Sequence, residues 1–585
     1  MCIRDRLLGG YAGKYARIDL TRGKVQIDDT PKDLIRDFIG GTGFCAKILW
    51  DEIDENTDPL SPENRLILAT GPVTGTMFPP SGRYMFASKS PLTGIWAETH
   101  CGGHFGPEVK YAGFDFLILQ GRSEKPVYIF VNDRKVEIRS AEHLWGKMTH
   151  ETTDMIREEL GDERVKVACI GPAGENLVRY AAIITDYYRA AGRTGLGAVM
   201  GSKNVKAIAV IGTGSVKVAD PEGFMKIVEE AHYMCTKGRW GEAAEASLGT
   251  YGTTNLVEAM NAIGRLPTKN HWTGVFEEHE KIGPKIIREK YRVKRESCFG
   301  CAIQCKYMSR VTEGKYAGTF SGGPEYETIF AFGSNCLNAN IESILYANML
   351  CNRYGLDTIS TGKCISWAME CYEKGILSKE EADGLDLSWG NEDTIITLIH
   401  KIAKREGFGN LLAEGVKRAS EKLGRGSWRY AIHVKGLEAS GQDGRAHKSI
   451  GLTYAISVRG ADHLRSLCTV DELGYVDVAE ERFGKDKVKD VCDLLSEKYK
   501  GLIVKDQEDL FAIVDSLIIC KYGTMWPPIY YFDFLAKVLP PLTGIEAFGS
   551  EAELRLIAER ICNLRRCFNV REGHTRRDEQ LHPRF

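Results

Sequence analysis

Three cysteines within eight residues constrain this chain more than any other feature. The segment Ser297-Cys298-Phe299-Gly300-Cys301-Ala302-Ile303-Gln304-Cys305 sets its thiols at Cys-x-x-Cys-x-x-x-Cys spacing. Gaps this short let three thiolates converge on one face of a cubane, and Gly300 removes a side chain where backbone must wrap closely around the group. The spacing therefore predicts an iron–sulfur site whose fourth ligand comes from elsewhere in the chain. Structural zinc would want a second Cys or His pair at similar spacing, and no Cys-x-x-Cys recurs. A radical-forming cluster that binds S-adenosylmethionine uses the two gaps in reverse order. The 17 cysteines are odd in number and dispersed over 585 residues, so a reducing compartment suits them better than a secreted disulfide scaffold.

That length exceeds what one core can organise, and about two to four domains are expected. Lysine plus arginine (77) nearly balance aspartate plus glutamate (79), which argues against nucleic acid or an anionic membrane as the main partner. No apolar run approaches the roughly 20 residues that span a bilayer, and no basic segment leads into an apolar signal core. A cytoplasmic location is the expectation. Met1–Arg6 precede the first patterned strand and receive no structural role.

Residues 7–213 read as β-rich. Tyr15–Leu20 and Lys24–Ile27 alternate in polarity across Thr21-Arg22-Gly23, a hairpin signal, and short strands recur at Arg65–Ala69, Tyr84–Ser88, Phe114–Gln120 and Val127–Val131. Glycine-rich loops separate them, at residues 40–43, 71–75, 81–83, 101–104, 171–174 and 189–198. Each alone is a turn, but six in one domain suggest repeated close approach of backbone to a large anionic cofactor. No Gly-x-Gly-x-x-Gly follows a strand and opens a helix, and no Walker phosphate loop is present.

From residue 214 the periodicity turns helical, and Gly424-Arg425-Gly426-Ser427 divides a second segment, 214–425, from a third, 426–585. Asn391 precedes Ile395, Leu398, Ile399 and Ile402, with Gly407 as the expected stop. Ile341–Tyr354 should end at Gly355. Ser550-x-x-Glu553 opens a helix whose inward face would be Ile557, Ile561, Leu564 and Phe568.

Taken together, these loops and cysteines resemble the tungsten-dependent aldehyde:ferredoxin oxidoreductase family. The matching stretches run in order through nearly the whole chain: residues 40–43, 71–84, 102–107, 189–203, 298–305, Gly323-Pro-Glu-Tyr-Glu-Thr328, Gly355-Leu-Asp-Thr-Ile-Ser360 and Arg459-Gly-Ala-Asp-His-Leu-Arg465. The resemblance implies an α+β fold, in which an N-terminal domain of paired β-sheets forms a saddle under a tungsten (or molybdenum) bis-pyranopterin and two mainly helical domains close over it. It implies a [4Fe-4S] cluster held by Cys298, Cys301, Cys305 and Cys520, the last from Asp515-Ser-Leu-Ile-Ile-Cys520, where Ile518 replaces the family's glycine. Cofactor contacts would come from Arg83, between pterin and cluster, and from Gly102, Gly103, Arg189, Gly192, Arg193, Asn352, Asp357 and Asp515. Ala190 would hold, through its carbonyl, a Mg2+ that bridges the pterin phosphates; His100 stands at the partner position, where relatives carry asparagine.

The activity implied is oxidation of a small aldehyde to a carboxylic acid, with electrons passed to ferredoxin or a ferredoxin-like subunit by a homodimer or a larger complex. His463 and Glu325 or Glu327 match the family's active-site histidine and acid; in an extended segment both glutamates would share a face. Two other readings remain open. One is the tungsten subunit of a benzoyl-CoA reductase-like complex, in which Cys336 would ligate the metal; the other is a non-catalytic electron-transfer subunit.

Overall fold

The computed structural model describes residues 8–525 and 528–585. Met1–Arg6 and the first position of the 7–213 segment lie outside the described residues.

Twelve short strands build two six-stranded sheets. The first holds β1 (Lys14–Asp19), β2 (Lys24–Asp29), β3 (Leu66–Ala69), β4 (Tyr84–Lys89), β5 (Trp96–Cys101) and β6 (Phe116–Gln120), in the order β2-β1-β6-β3-β4-β5. The second holds β7 (Val127–Asn132), β8 (Lys135–Ser140), β9 (Lys166–Cys169), β10 (Ile183–Thr185), β11 (Arg189–Ala191) and β12 (Val205–Ile211), in the order β11-β10-β9-β12-β7-β8. Among the described residues, only β1 with β6 and β7 with β12 pair in parallel.

Period-two alternation decides how the layers stack. Leu66, Leu68, Leu117 and Leu119 enter a core shared with Ile208 and Val210 of the second sheet. Their neighbours Ile67, Ala69, Phe116 and Ile118 face the helices instead. On the far side, Tyr128, Phe130, Ala207 and Ala209 pack on Ile156 of helix Thr149–Leu160. Each fully buried Leu, Ile or Phe stabilises this stack by about 1.5–3 kcal/mol. The result is α+β with paired N-terminal sheets and helices beyond.

Several helices start and stop where the sequence indicates. Asn391 caps Glu392–Lys404 through its side chain, and Gly355, at φ 74°, ends Ile341–Tyr354. Ser550 caps Glu551–Arg571, whose inward face carries Ile557, Ile561 and Phe568. Leu564 is only partly buried, and Arg565 turns inward beside it. Gly407 is not the stop of its helix: Arg405 already adopts φ 55°, because its guanidinium bonds the Asn176 and Leu177 carbonyls, both at 2.7 Å.

The middle of the chain also contains a three-stranded antiparallel sheet, Arg292–Glu296, Lys306–Arg310 and Phe320–Gly322, that the helical reading did not foresee. Its first turn is the cysteine loop.

The glycine loops divide: Gly82, Gly102 and Gly192 line a cavity beside the cysteine loop, whereas the loops at 40–43 and 71–75 serve packing between chain segments. A Cβ on Gly41 would lie 2.2 Å from the Asp515 carbonyl oxygen, and one on Gly71 would lie 2.2 Å from that of Leu517. These loops let the end of helix Lys500–Leu517 sit directly on the first sheet, which carries Asp515 and Cys520 to the site.

Candidate iron–sulfur and cofactor site

The loop from Ser297 to Cys305 joins two strands and packs against Ser81-Gly82-Arg83. A Cβ on Gly82 would stand 2.7 Å from the Phe299 nitrogen, and one on Gly102 would stand 2.8 Å from Cys298 Sγ. Cys520 arrives from the opposite end of the chain, two residues after Ile518. That isoleucine sits at φ 59°, ψ 40°, which accounts for glycine in the resembling motif and costs a β-branched residue about 1–2 kcal/mol.

All four thiols, Cys298, Cys301, Cys305 and Cys520, are free and line one cavity. Burial, then the neighbouring Cys298 and Cys520, pushes the Cys301 thiol up to about 12. Cys305 is raised well above the ordinary thiol range by burial and by Cys301, Glu325, Cys520 and Cys298. Thiols that oppose one another's ionisation in this way favour binding to a cationic centre. Two guanidinium groups already point at them: Arg83 Nη1 donates to Cys520 Sγ at 3.6 Å and Arg189 Nη1 to Cys298 Sγ at 3.1 Å. Cys364, Cys371, Cys562 and Cys567 do not line the cavity.

The cavity, of about 380 Å³, continues from the thiols over the end of the first sheet. Its walls include Arg83, His100, Gly102, Arg189, Ala190, Gly192, Arg193, Asn352, Asp357 and Asp515, together with Glu325, Glu327 and His463. Gly103 is the exception among the expected residues. It sits one step behind the wall at φ 117°, its carbonyl accepting from the Phe299 N–H at 3.0 Å, because backbone is needed there to anchor the cysteine loop.

Several expected cofactor contacts also have structural duties. Asp357 caps helix Thr358–Glu373 and accepts from Arg193 Nε at 3.4 Å. Asn352 donates to Ser321 Oγ at 3.1 Å. Beneath them lies a buried charge network. Glu98 accepts from Arg465, from Arg565 at 3.0 Å and from Thr42 at 2.5 Å, while Asp515 accepts from Arg465 at 2.8 Å and pairs with Lys521. His100 stands between the two carboxylates, and burial lowers it to about 4. Glu98, His100 and Asp515 lie close enough to resemble a metal triad. The two carboxylates are nonetheless already matched by cations.

Five buried polar atoms on residues of the wall have no hydrogen-bond partner: His100 Nε2, Glu327 Oε1, Gln442 Oε1, Asp462 Oδ1 and Arg465 Nε. Buried polar groups are rarely left unmatched. The donor and acceptor set thus fits a large polar group with hydrogen-bonding edges, beside four thiols that fit iron.

The two glutamates do not share a face. Glu325 is extended, at φ −83° and ψ 162°, but helix Tyr326–Phe332 begins immediately after it and rotates Glu327 away. Burial works to raise the Glu325 carboxyl, yet Lys306 at 2.9 Å and Thr253 at 2.5 Å outweigh it and hold it below the usual range. Glu327 has no cation in contact. Burial pushes it up to about 7, against one bond from the Gly441 N–H at 2.7 Å. Its Oε1 lies 3.8 Å from His463 Nδ1. His463 is lowered by burial to about 4, and its Nδ1 meets Ser440 Oγ at 2.8 Å.

Cys336 is not in the cavity wall. It is fully buried, its Sγ directed at the Ala331 and Gly362 carbonyls at 3.3 and 3.7 Å. Sequence reasoning passed over Glu98, Arg565 and Lys521. The three-residue spacing in Arg459-Gly-Ala-Asp-His-Leu-Arg465, which puts Arg459, Asp462 and Arg465 into one network, is the signal that could have found part of it.

Four free thiols lining one polar cavity suit a protein that holds a metal or iron–sulfur cofactor. Residues 15–212 match the family described as "Aldehyde ferredoxin oxidoreductase, N-terminal domain", and residues 232–585 match "Aldehyde ferredoxin oxidoreductase, domains 2 & 3". The chain belongs to the aldehyde ferredoxin oxidoreductase family. It is 41% identical over 579 residues to a tungsten-containing aldehyde ferredoxin oxidoreductase of Pyrococcus furiosus, covering 98% of this chain and 91% of the relative. A protein of the same name from Thermococcus kodakarensis is 40% identical over 578 residues, with the same coverage. Among solved structures, the active-site complex BamBC of benzoyl coenzyme A reductase with 1,5-dienoyl-CoA is similar at a TM-score of 0.86 and 28% identity, over 98% of this chain and 91% of that one. Among the described residues no helix is long and apolar enough to cross a membrane.

Proposed function

We propose that this chain oxidises small aldehydes to carboxylic acids at a tungsten or molybdenum bis-pyranopterin, and passes the electrons through a [4Fe-4S] cluster to a ferredoxin-type partner. The observation that carries this reading is the meeting of Glu327 and His463 across 3.8 Å in the cavity wall, while Cys336 is buried outside it. Aldehyde oxidation takes an oxygen from water and removes two electrons. When bound, the pterin-held metal supplies a two-electron acceptor, and the cluster supplies single-electron steps to the partner.

The chain's own residues do the rest. Glu327, raised to about 7, is poised to take a proton from water or substrate near neutral pH. In this reading His463 hydrogen-bonds the substrate oxygen. Arg83 and Asp515 are assigned to the pterin, with Arg83 also holding Cys520. Glu325, tied to Lys306, stays ionised and acts as structure. Mg2+ at the Ala190 carbonyl and a cytoplasmic location belong to the same proposal, as do domain divisions near 213 and 425.

Elemental analysis of anaerobically purified protein, with a viologen-coupled aldehyde assay, tests it. The expected result is about one tungsten or molybdenum per chain and an activity that falls about 10²–10⁴-fold in His463→Ala with metal content intact. Cys336→Ser should leave that activity in place. Zinc as the sole stoichiometric metal, or aldehyde activity that survives His463→Ala and vanishes with Cys336→Ser, refutes the reading.

A further inference from the structure

Next to His463, on residues that do not line the cavity, two hydroxyls form a short chain. Ser440 Oγ lies 2.8 Å from His463 Nδ1 and 2.6 Å from the Tyr454 hydroxyl, and neither Ser440 nor Tyr454 has any exposed surface. Each hydroxyl has a single hydrogen to give. The other acceptors within reach of Tyr454 are the Ser440 and Gln442 carbonyls, at 3.1 and 3.4 Å, so its shortest contact is the one to Ser440 Oγ. If Tyr454 donates there, the Ser440 hydrogen is directed to His463 Nδ1.

An imidazole that accepts at Nδ1 carries its one hydrogen on Nε2. The ring stays neutral, because burial and the facing Arg193, Arg265 and Arg459 outweigh Asp462 and leave it at about 4. Glu327 also faces it, 3.8 Å from Nδ1, and takes its own hydrogen bond from Gly441.

We propose that Ser440 and Tyr454 are positioning residues that lock His463 in the Nε2–H tautomer, so that it offers the cavity a neutral hydrogen-bond donor for the substrate oxygen and leaves proton removal to Glu327. This inference rests on the aldehyde-oxidising reading. It divides the labour of that site: one neutral donor, one carboxylate base. A base at His463 would require the opposite tautomer.

The imidazole ring-stretching band separates the two tautomers in difference infrared spectra of histidine-labelled holoenzyme, with His463→Ala as the subtraction that isolates His463. Wild type should show the Nε2–H band. Ser440→Ala should shift it toward the Nδ1–H form and lower kcat about 10²-fold, with KM and cluster absorbance unchanged, and Ser440→Thr should restore both. Tyr454→Phe, which keeps the ring, should give an intermediate shift and about a tenfold loss. An Nδ1–H band in wild type, or a band that ignores both Ser440→Ala and Tyr454→Phe, overturns the proposal. Because the band is read without turnover, a wild type that shows it and yet oxidises no aldehyde would refute the function and leave the relay standing.

Discussion

Glu327 makes the sharpest forecast, since its environment sets both a rate and a stability. With the carboxyl raised to about 7 by burial, only about one tenth is ionised at pH 6 and about one hundredth at pH 5. If the ionised form is the base, the aldehyde oxidation rate should climb about tenfold per pH unit from 5, bend near 7 and then level off. His463 adds no second limb in that window, being neutral above about 4. Glu327→Gln should remove the limb and cost about 10²–10⁴ in kcat, while Glu325→Gln should keep it. The same shift has a thermodynamic face. Moving a carboxyl from the usual 4.5 to about 7 costs the ionised folded state about 3 kcal/mol. A raised carboxyl penalises folding as pH rises from its unfolded value through 7. Glu327→Gln should therefore melt higher than wild type at pH 8 and no higher at pH 4.5. A pH–rate profile flat from 5 to 8, or a limb that disappears in Glu325→Gln instead, refutes the reasoning.

Other outcomes follow from single contacts. Cys520→Ala should lose iron and sulfide as completely as Cys301→Ala, although the two lie far apart in sequence, since a cubane needs four ligands; iron analysis and the cluster absorption band check it. Gly82→Ala should deplete the cluster with the sheets intact, because its Cβ would stand 2.7 Å from the Phe299 nitrogen; retained iron with normal circular dichroism would contradict this. Glu98→Gln leaves Arg565 without its ion-pair partner in the interior, while Arg465 keeps Asp515, and should cost about 3–5 kcal/mol, read as a lower denaturation midpoint.

Much of the scaffold was legible because period and capping are local. The alternation in β3 and β6, the Asn391 and Ser550 caps and the left-handed Gly355 each depend on a few neighbouring residues. Where distant segments decide, local reading fails. Arg405 ends its helix early because carbonyls more than two hundred residues away take its guanidinium. The strand Arg292–Glu296 carries little apolar alternation, since it is an edge strand held by Lys306–Arg310, and nothing local marks it. Glycines in residues 40–43 and 71–75 suggested phosphate approach, yet what approaches is the backbone of Asp515 and Leu517. A glycine reports that something comes close without saying what.

The site shows the same division more sharply. Cysteine spacing exposed three of the thiols, because loop closure over a few residues is geometry that sequence displays. The fourth needed the resembling Asp515–Cys520 stretch, as no spacing links residue 305 to residue 520. Glu325 and Glu327 were indistinguishable on paper, and the start of a helix at Tyr326 separates them. Ending the extended segment at Glu325 turns one carboxylate to Lys306 and leaves the other buried with no cation in contact, so two identical side chains two residues apart are driven to opposite sides of the usual carboxylate range. Acid–base character here is a property of burial and partners, which only the assembled interior supplies. Glu98 makes the point from the other side: in sequence it is one glutamate in a strand, and in the fold it is the anion that pairs with the buried Arg565 and shares Arg465 with Asp515.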